Sequence, residues 1–375
     1  MTATANSLEI YRTAIPMRRF EHAAASRDVA EAVLVRVGFS DGSAGWGETL
    51  PRRYVTGETI DTVIRNLSDT IWPACEQVGF GELEDLTRIP ARAADGRCMH
   101  AAACAFELAC LDRIFSGGAG PSLRRRIGAR VSGVIGSADA GKTAGQLRRM
   151  LWFGLRDFKL KLGFSDDIDA ENLHVVHKRL GRAIRRRRCT LRVDVNGGWS
   201  ADETPGRVAG LERYGVCVVE QPTYCSAARL AELAGKCRLP LMADESLITD
   251  ADADALLAGP QRPWWNIRIA KNGFLRSLKM ARRAAEASVR FTLGCMVGES
   301  SILSAAQRRM LQLAPRPMFV EGNYGRFLLA DDLTKKSLRF GYGGRLKPLK
   351  GSGLGVAVDA GKLGRYGERL RPTNH

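Results

Sequence analysis

Apolar and polar positions divide the chain into two regimes. Residues 31–38 (EAVLVRVG) alternate in part, the period of a half-buried strand. Asp41–Gly42 then marks a tight turn, and AGWGE reads as the returning strand of a hairpin. Residues 58–72 predict a helix. So do residues 98–116, CMHAAACAFELACLDRIFS, whose alanine-rich apolar composition predicts burial on most sides. The first third is therefore mixed α+β and contains no repeat. From about residue 130 short apolar runs recur, each ending in a polar residue and each followed by helix-like sequence. They are VSGVIG, FKLKLG, LRVDVN, VCVVEQP, LPLMADES, WWNIRIAK, RFTLGCM and PMFVEGN. Strand–helix alternation of this kind predicts parallel βαβ units. Eight strands predict a TIM-type barrel, whose active groups sit at the C-terminal strand ends.

Those ends carry Lys159 and Lys161, Asp194 and Asn196, Glu220, Asp244, Lys271, Glu299 and Glu321. From Lys161 onward the spacings are 194 − 161 = 33, 220 − 194 = 26, 244 − 220 = 24, 271 − 244 = 27 and 299 − 271 = 28. One βα unit of a barrel of ~250 residues takes about 30 residues, so each group falls one unit after the last and all face one mouth. A single charged strand end is an ordinary solvated position. Consecutive acids and lysines in phase are not.

Composition narrows the class. The 375 residues are 45% hydrophobic and 26% charged, an ordinary globular balance, and the length suggests two or three units. No apolar run is long enough to cross a bilayer, and the opening MTATANSLEI lacks the profile of a secretion signal. Nine scattered cysteines with no C-x-x-C pair argue for reduced thiols in a cytoplasmic protein, against a disulfide frame or a structural zinc site. The net charge is 57 − 40 = +17, with clusters at Arg124–Arg125–Arg126 and Arg185–Arg186–Arg187–Arg188. No aromatic interleaving or nucleic-acid motif accompanies them, so they read as solvated helix surface and no nucleic-acid partner is expected. A positive field also steers anionic substrates.

Asp194, Glu220 and Asp244 supply three carboxylates on adjacent strands. Hard oxygen donors with no His or Cys nearby suit Mg²⁺, with Mn²⁺ as a substitute. Each acid alone could instead be a structural ion pair, which the flanking lysines permit; the in-phase triplet favours a metal. Lys161 and Lys271 lie across the mouth from each other. A lysine crowded by other cations has a lowered pKa and can act as a neutral base.

Together, Lys159-x-Lys161, Asp194-x-Asn196, Val219–Glu220–Gln221–Pro222, Ala243–Asp244–Glu245–Ser246 and Asn266-Ile-Arg-Ile-Ala-Lys271 resemble the enolase superfamily. Within it the chain is similar to the muconate-lactonising/mandelate racemase-type enzymes, in the branch that also holds dipeptide epimerases and N-acylamino acid racemases. Gly45–Trp46–Gly47–Glu48, Tyr54 through Thr59 and Gly353–Leu354–Gly355–Val356 extend the likeness to both ends of the chain. The resemblance implies an α+β capping domain of residues 1–128 with the tail 324–375, around a (β/α)7β barrel of residues 129–323. It implies Mg²⁺ on Asp194, Glu220 and Asp244, and Lys161 and Lys271 as an acid/base pair on opposite faces of a small carboxylate substrate. Lys159 then touches that carboxylate or tunes Lys161, with Asn196, Glu245, Glu299 and Glu321 in support. Cap loops at about 16–24 and 50–57 close over the substrate, which makes Arg18, Arg19, His22 and Tyr54 specificity candidates. A homo-oligomer is expected. The chain departs from the branch in four places. Val320–Glu321–Gly322–Asn323 replaces the Asp-x-Asp that holds the amino group in dipeptide epimerases. One extra residue precedes Glu299. Arg268 and Phe274 stand where lysine and glycine are common.

The expected reaction is proton abstraction α to a carboxylate through an enediolate, in a racemase or epimerase. A cycloisomerase or an acid dehydratase or other lyase would use the same intermediate with one base. A basic-surface binding protein on a degenerate barrel is the reading from another class. The pairing of a Lys or His base with Mg²⁺ in enolase-type sites is general knowledge of that chemistry.

Overall fold

The computed structural model describes residues 2–22, 25–118, 127–259 and 261–370. The Arg124–Arg126 cluster and the side chain of His22 lie outside the described residues.

Strands β1 (Ala3–His22), β2 (Ala25–Phe39) and β3 (Ala44–Thr49) form an antiparallel meander. The expected β2–β3 hairpin is present, its turn closed by the Gly42 N–H donating to Phe39 O at 2.9 Å. The expected loop at 16–24 is not a loop in its described part. β1 runs through it and stays paired to β2 as far as His22↔Ala25, with an irregularity between Pro16 and Phe20. Residues 17–22 contain no glycine or asparagine to turn the chain, and the outer edge of the strand is covered. The Arg18 N–H donates to Leu328 O at 2.8 Å and the Ala330 N–H to Pro16 O at 2.8 Å.

The segment expected as one helix over 58–72 starts at Ile60, capped by the Thr59 side chain, and reaches Asn66. It then widens into a π turn, Leu67–Ile71, and resumes at Trp72–Cys75. Pro73 explains the widening, because it has no N–H to continue the ladder. The helix His100–Ser116 is buried on most sides, as its composition predicts, and lies on β3. Gly45 and Gly47 permit that approach: a Cβ at either would collide with the backbone carbonyls of Ala109 and Ala105. β4 (Gly79–Phe80) pairs with the start of β1.

The parallel strands follow: β5 (Gly133–Ile135), β6 (Asp157–Lys161), β7 (Thr190–Asp194), β8 (Val216–Glu220), β9 (Leu241–Ala243), β10 (Trp264–Ile267), β11 (Phe291–Leu293) and β12 (Phe319–Val320). They pair in sequence order. A parallel bridge between Val131 and Val320, with the Ser132 N–H donating to Val320 O at 2.8 Å, joins last to first and closes the barrel. Seven principal helices separate the eight strands, the expected (β/α)7β arrangement. Most begin where a small polar side chain takes the free amides of the first turn, as at Asp139, Ser165, Ser226, Thr249 and Ser300.

Strand parity fixes what fills the barrel. Two residues before Glu220, Asp244, Asn266 and Glu321 stand Val218, Met242, Trp264 and Phe319, which form a compact apolar cluster. The polar groups rest on that floor. After β12 the chain returns past β1, where β13 (Gly367–Leu370) pairs with Ile10–Thr13. Among the described residues no helix is long and apolar enough to cross a membrane.

Candidate active site

Register brings the charged strand ends together. Lys161 is the Cα partner of Asp194, and Asp194 of Glu220. Lys161 Nζ donates to Asp194 Oδ2 at 2.5 Å and to Asn196 Oδ1 at 2.8 Å. Lys159 Nζ, one layer deeper, reaches Glu321 Oε2 at 2.7 Å, both Glu220 oxygens at 3.1 Å and Asp194 Oδ2 at 3.3 Å. Asn266 Nδ2 donates to Glu220 Oε1 at 2.6 Å. On the far side of Glu321, Arg192 Nη1 holds Oε1 at 2.8 Å while its guanidinium stacks 4.2 Å from the centre of the Phe319 ring.

Lys271 does not end a strand, as the sequence pattern had suggested. β10 stops at Ile267, and Lys271 sits on a single helical turn, Ile269–Asn272. Its Nζ folds back to Asp244 O at 2.5 Å, Asp244 Oδ1 at 2.9 Å and Asn266 O at 3.0 Å. Arg268 lays its guanidinium on Asp244 Oδ2 and comes within 3.8 Å of Glu220. Five buried cations (Lys159, Lys161, Arg192, Arg268, Lys271) thus face four buried anions (Asp194, Glu220, Asp244, Glu321), with the half-buried Glu245 beside them.

The proton affinities follow from these contacts. Burial works to lower the Lys159 pKa, but Glu220, Glu321 and Asp194 outweigh it and the group is held above the ordinary lysine range. Lys271 moves the other way. Burial and then the Arg268 guanidinium push it well below its usual value, the direction a neutral amine base requires. Burial alone would raise Asp194, yet Lys161 and Lys159 hold it far below the normal carboxylate range. Glu220 is raised by burial and by the Asp194 carboxylate beside it. Glu245 is pushed up to about 7 by burial and Asp194.

A cavity of about 420 Å³ opens over this network. Lys159, Lys161, Asn196, Arg268 and Glu321 form its floor, and Arg19 and Tyr54 of the cap belong to its wall. Arg19 also pairs with Glu21 at 2.8 Å. Asp194, Glu220, Asp244 and Lys271 lie beneath the cations rather than on the wall. Glu299 is not on this wall either. It stands six residues past the end of β11, accepts the Met296 N–H at 2.6 Å, and is pushed up to about 8 by burial. The extra residue before it belongs to that turn.

Among the described residues, no three His, Cys, Asp or Glu side chains converge as a ready-made ion shell. The donor set nonetheless suits a hard divalent cation. Lys159 Nζ already contacts both Asp194 and Glu220, and Arg268 Nη2 approaches both Glu220 and Asp244, so one positive centre can serve neighbouring carboxylates. The sequence pattern marked Arg268 only as a departure, quoted Asn266 in a motif without giving it a role, and missed Arg192. Parity was the available signal: Arg192 precedes Asp194 by two, as Lys159 precedes Lys161, so both point inward. The cavity's aromatic wall, Phe153, Phe327 and Phe340, was also missed; two of the three come from the irregular tail.

A closed (β/α)7β barrel with lysines and carboxylates at one mouth, beneath an antiparallel cap, defines the isomerase architecture of the enolase superfamily. Residues 142–362 match the Enolase C-terminal domain-like family, and the chain belongs to it. It is 26% identical over 310 residues to the N-succinyl-L-Arg/Lys racemase of Bacillus cereus, covering 80% of this chain and 82% of that one. It is 28% identical over 351 residues to the L-Lys-D/L-Arg epimerase of Methylococcus capsulatus, covering 90% and 94%. Among solved structures, the muconate lactonizing enzyme of Pseudomonas fluorescens superposes with a TM-score of 0.85 at 24% identity, over 98% of this chain and 100% of that one. The dipeptide epimerase of Cytophaga hutchinsonii, solved with Mg and D-Ala-L-Val, gives 0.84 at 20%, over 99% of each chain. At these identities the structural likeness speaks for the fold.

Proposed function

We propose that this protein is a racemase or epimerase that removes the proton α to the carboxylate of a small substrate and returns one to the opposite face. The carrying observation is a pair of buried lysines on opposite sides of one mouth, one of them shifted toward the neutral amine, with three carboxylates between them. Asp194, Glu220 and Asp244 are the proposed ligands of Mg²⁺ or Mn²⁺. The ion, when bound, supplies fixed positive charge where negative charge develops on the substrate carboxylate. Lys161, oriented by Asn196 and Asp194, serves one face of the α-carbon, and Lys271 the other. Lys159 stays charged and contributes its field rather than a proton. Arg19, His22 and Tyr54 are proposed to contact the substrate from the cap, with Glu245 and Glu321 supporting the site; Glu299 is proposed to support it only from outside the wall. The proposal takes residues 1–128 with 324–375 as the cap and 129–323 as the barrel, in a cytoplasmic homo-oligomer without nucleic-acid partners. All nine cysteines being free supports the compartment.

One observation favours the second reading, a one-base cycloisomerase or acid dehydratase. Arg268 lines the cavity and Lys271 does not, so of the two proposed bases only Lys161 reaches its surface. Exchange in D₂O with a panel of N-acyl amino acids, dipeptides and cycloalkene acids decides between them. The two-base enzyme washes deuterium into both stereoisomers. Lys161→Ala then stops exchange of one isomer and Lys271→Ala that of the other, each losing about 10²–10⁴-fold in turnover. If Lys271→Ala still exchanges both isomers, the one-base reading replaces it. Excess chelator, with metal content verified as nil, should abolish turnover until Mg²⁺ or Mn²⁺ is returned; full activity without metal removes the metal from the proposal.

A further inference from the structure

The seam between the last and first strands of the barrel is held near its lower end. Val131 bridges Val320, and the Ser132 N–H donates to Val320 O at 2.8 Å. Beyond Ser132, among the described residues, no backbone hydrogen bond joins 133–135 to 321–323. No eighth helix covers the gap either. After β12 the chain makes one 3₁₀ turn, Gly325–Phe327, and runs on irregularly.

The cavity passes through this gap. On the inner side it is lined by Lys159, by Val134, whose Cα partner is Lys159, and by Glu321. On the outer side it is lined by Met150 and Trp152 of the helix Ala140–Trp152, and by Phe153 and Phe327. Gly133 at the edge of the gap faces that helix, since a Cβ there would strike Met150 Sδ. Trp152 is 82% exposed, so this arm of the cavity ends at solvent.

The cap above the mouth is tied down on both sides. β1 is held to the tail where the Arg18 N–H donates to Leu328 O and the Ala330 N–H to Pro16 O, each at 2.8 Å. The buried Arg52 donates from Nη2 to Val297 O at 3.2 Å, across to the barrel. Glu58 accepts the Ala101 and Ala102 N–H groups at 2.7 and 3.2 Å. Gly298 lies so close to the cap that a Cβ there would collide with Ala30. Lifting the cap off the mouth breaks such contacts together. Opening the side arm asks only for rotamer changes at its outer end, where an exposed side chain such as Trp152 moves fast.

We infer that substrate and product pass through this lateral slot, between the helix Ala140–Trp152 and the 325–342 segment, while the cap stays in place. Met150 and Trp152 set the size of molecule that enters. The inference concerns the way in and holds for either reading of the reaction.

Cys295 lines the same cavity and serves as a reporter. The full-length protein with Mg²⁺ is treated at one pH with methyl methanethiosulfonate, which is small, and with N-phenylmaleimide, which is bulky. Modification of Cys295 is followed by peptide mass mapping. The ratio of the two rates reports passage of the larger reagent and cancels the low reactivity of a thiol whose pKa burial holds well above the usual range. Trp152→Ala should raise the N-phenylmaleimide ratio several-fold. Met150→Trp should lower it by a similar factor, a sign that a merely loosened fold would not give. Arg52→Ala and the milder Arg52→Lys, which release the cap from Val297, should leave the ratio as it is. Trp152 is exposed, so its variant decides the matter if Met150→Trp does not fold. An unchanged ratio in Trp152→Ala, a larger rise in the Arg52 variants than in Trp152→Ala, or failure of methyl methanethiosulfonate to reach Cys295 in the wild type overturns the inference.

Discussion

Arg268 competes with any other cation the site admits for the Asp244 carboxylate. The guanidinium lies on Asp244 Oδ2 and 3.8 Å from Glu220, so a divalent ion that takes both carboxylates has to displace it. Arg268→Met should therefore bind Mg²⁺ several-fold more tightly by calorimetry, while its metal-free form melts at a lower temperature because Asp244 has lost a buried cation. Unchanged affinity would place the ion elsewhere. Glu321 gives the complementary case. Replacing it with Gln strands Lys159 and Arg192 on a buried floor, and removing one partner of a buried pair typically costs about 3–5 kcal/mol. Urea unfolding should show that loss at neutral pH. The sign with pH follows from its depressed value: about 2 in the fold against an ordinary 4.5 means that its stabilisation is present above about 4.5 and is lost as the pH falls toward 2. The Glu321→Gln protein should lack that part of the acid transition. These residues were legible in the sequence to different degrees. Asp194, Glu220, Asp244, Lys159 and Lys161 stood out because strand parity and barrel spacing are short-range periodicities. Arg192 shared the parity but ends no strand, and the Phe153–Phe327–Phe340 wall has no local signature, because its rings are 174 and 13 residues apart in sequence.

Between elements, two carboxylates of the cap reach across and cap barrel helices. Glu48 of β3 accepts the Ser300 N–H at 2.9 Å and the Leu303 N–H at 3.1 Å, at the start of the helix Ser301–Leu313. Glu107 of the helix His100–Ser116 accepts the Phe274 and Leu275 N–H groups, each at 2.7 Å, at the start of the helix that follows Lys271. Gly273 makes room for it, since a Cβ there would strike Glu107 Oε2. Burial pushes both acids up to about 7, against the amides that favour the carboxylate. A fold that binds a proton more tightly than the unfolded chain loses stability as pH rises from about 4.5 to about 7. Glu107→Gln cannot titrate but keeps one acceptor oxygen. Its unfolding free energy should fall less steeply than wild type across that window; an unaltered slope would mean that Glu107 stays ionised there. The sequence marked the helix 98–116 by composition, but not the clamp, because a capping acid 167 residues from its amides is a product of packing. The expected loop at 16–24 went the same way: local composition could not reveal that residues 328–330 would cover the edge of β1.

For the molecule as a whole, the charge of +17 remains the feature least used by the site. Arg185, Arg186, Arg187 and Arg188 are all exposed at the C-terminal end of the helix Asp166–Arg185, where cations suit the helix dipole. Any DNA binding should accordingly be weak and fall steeply as salt rises in gel-shift titrations; a sequence-specific complex that survives physiological salt would require a second function. The sequence by itself determined the architecture and which charged residues gather at its mouth. Apolar runs alternating with helices, with charged residues every 24–33 positions from Lys161 to Lys271, admit few arrangements other than a barrel with those residues at one mouth. Which partners those groups take was decided only by the tertiary structure. Whether Lys271 faces the cavity or hides behind Arg268, and whether Glu321 is free or held by two cations, depends on side chains from different strands meeting in a medium of low polarity. There, contacts of about 3 Å outweigh the intrinsic preference of any one residue.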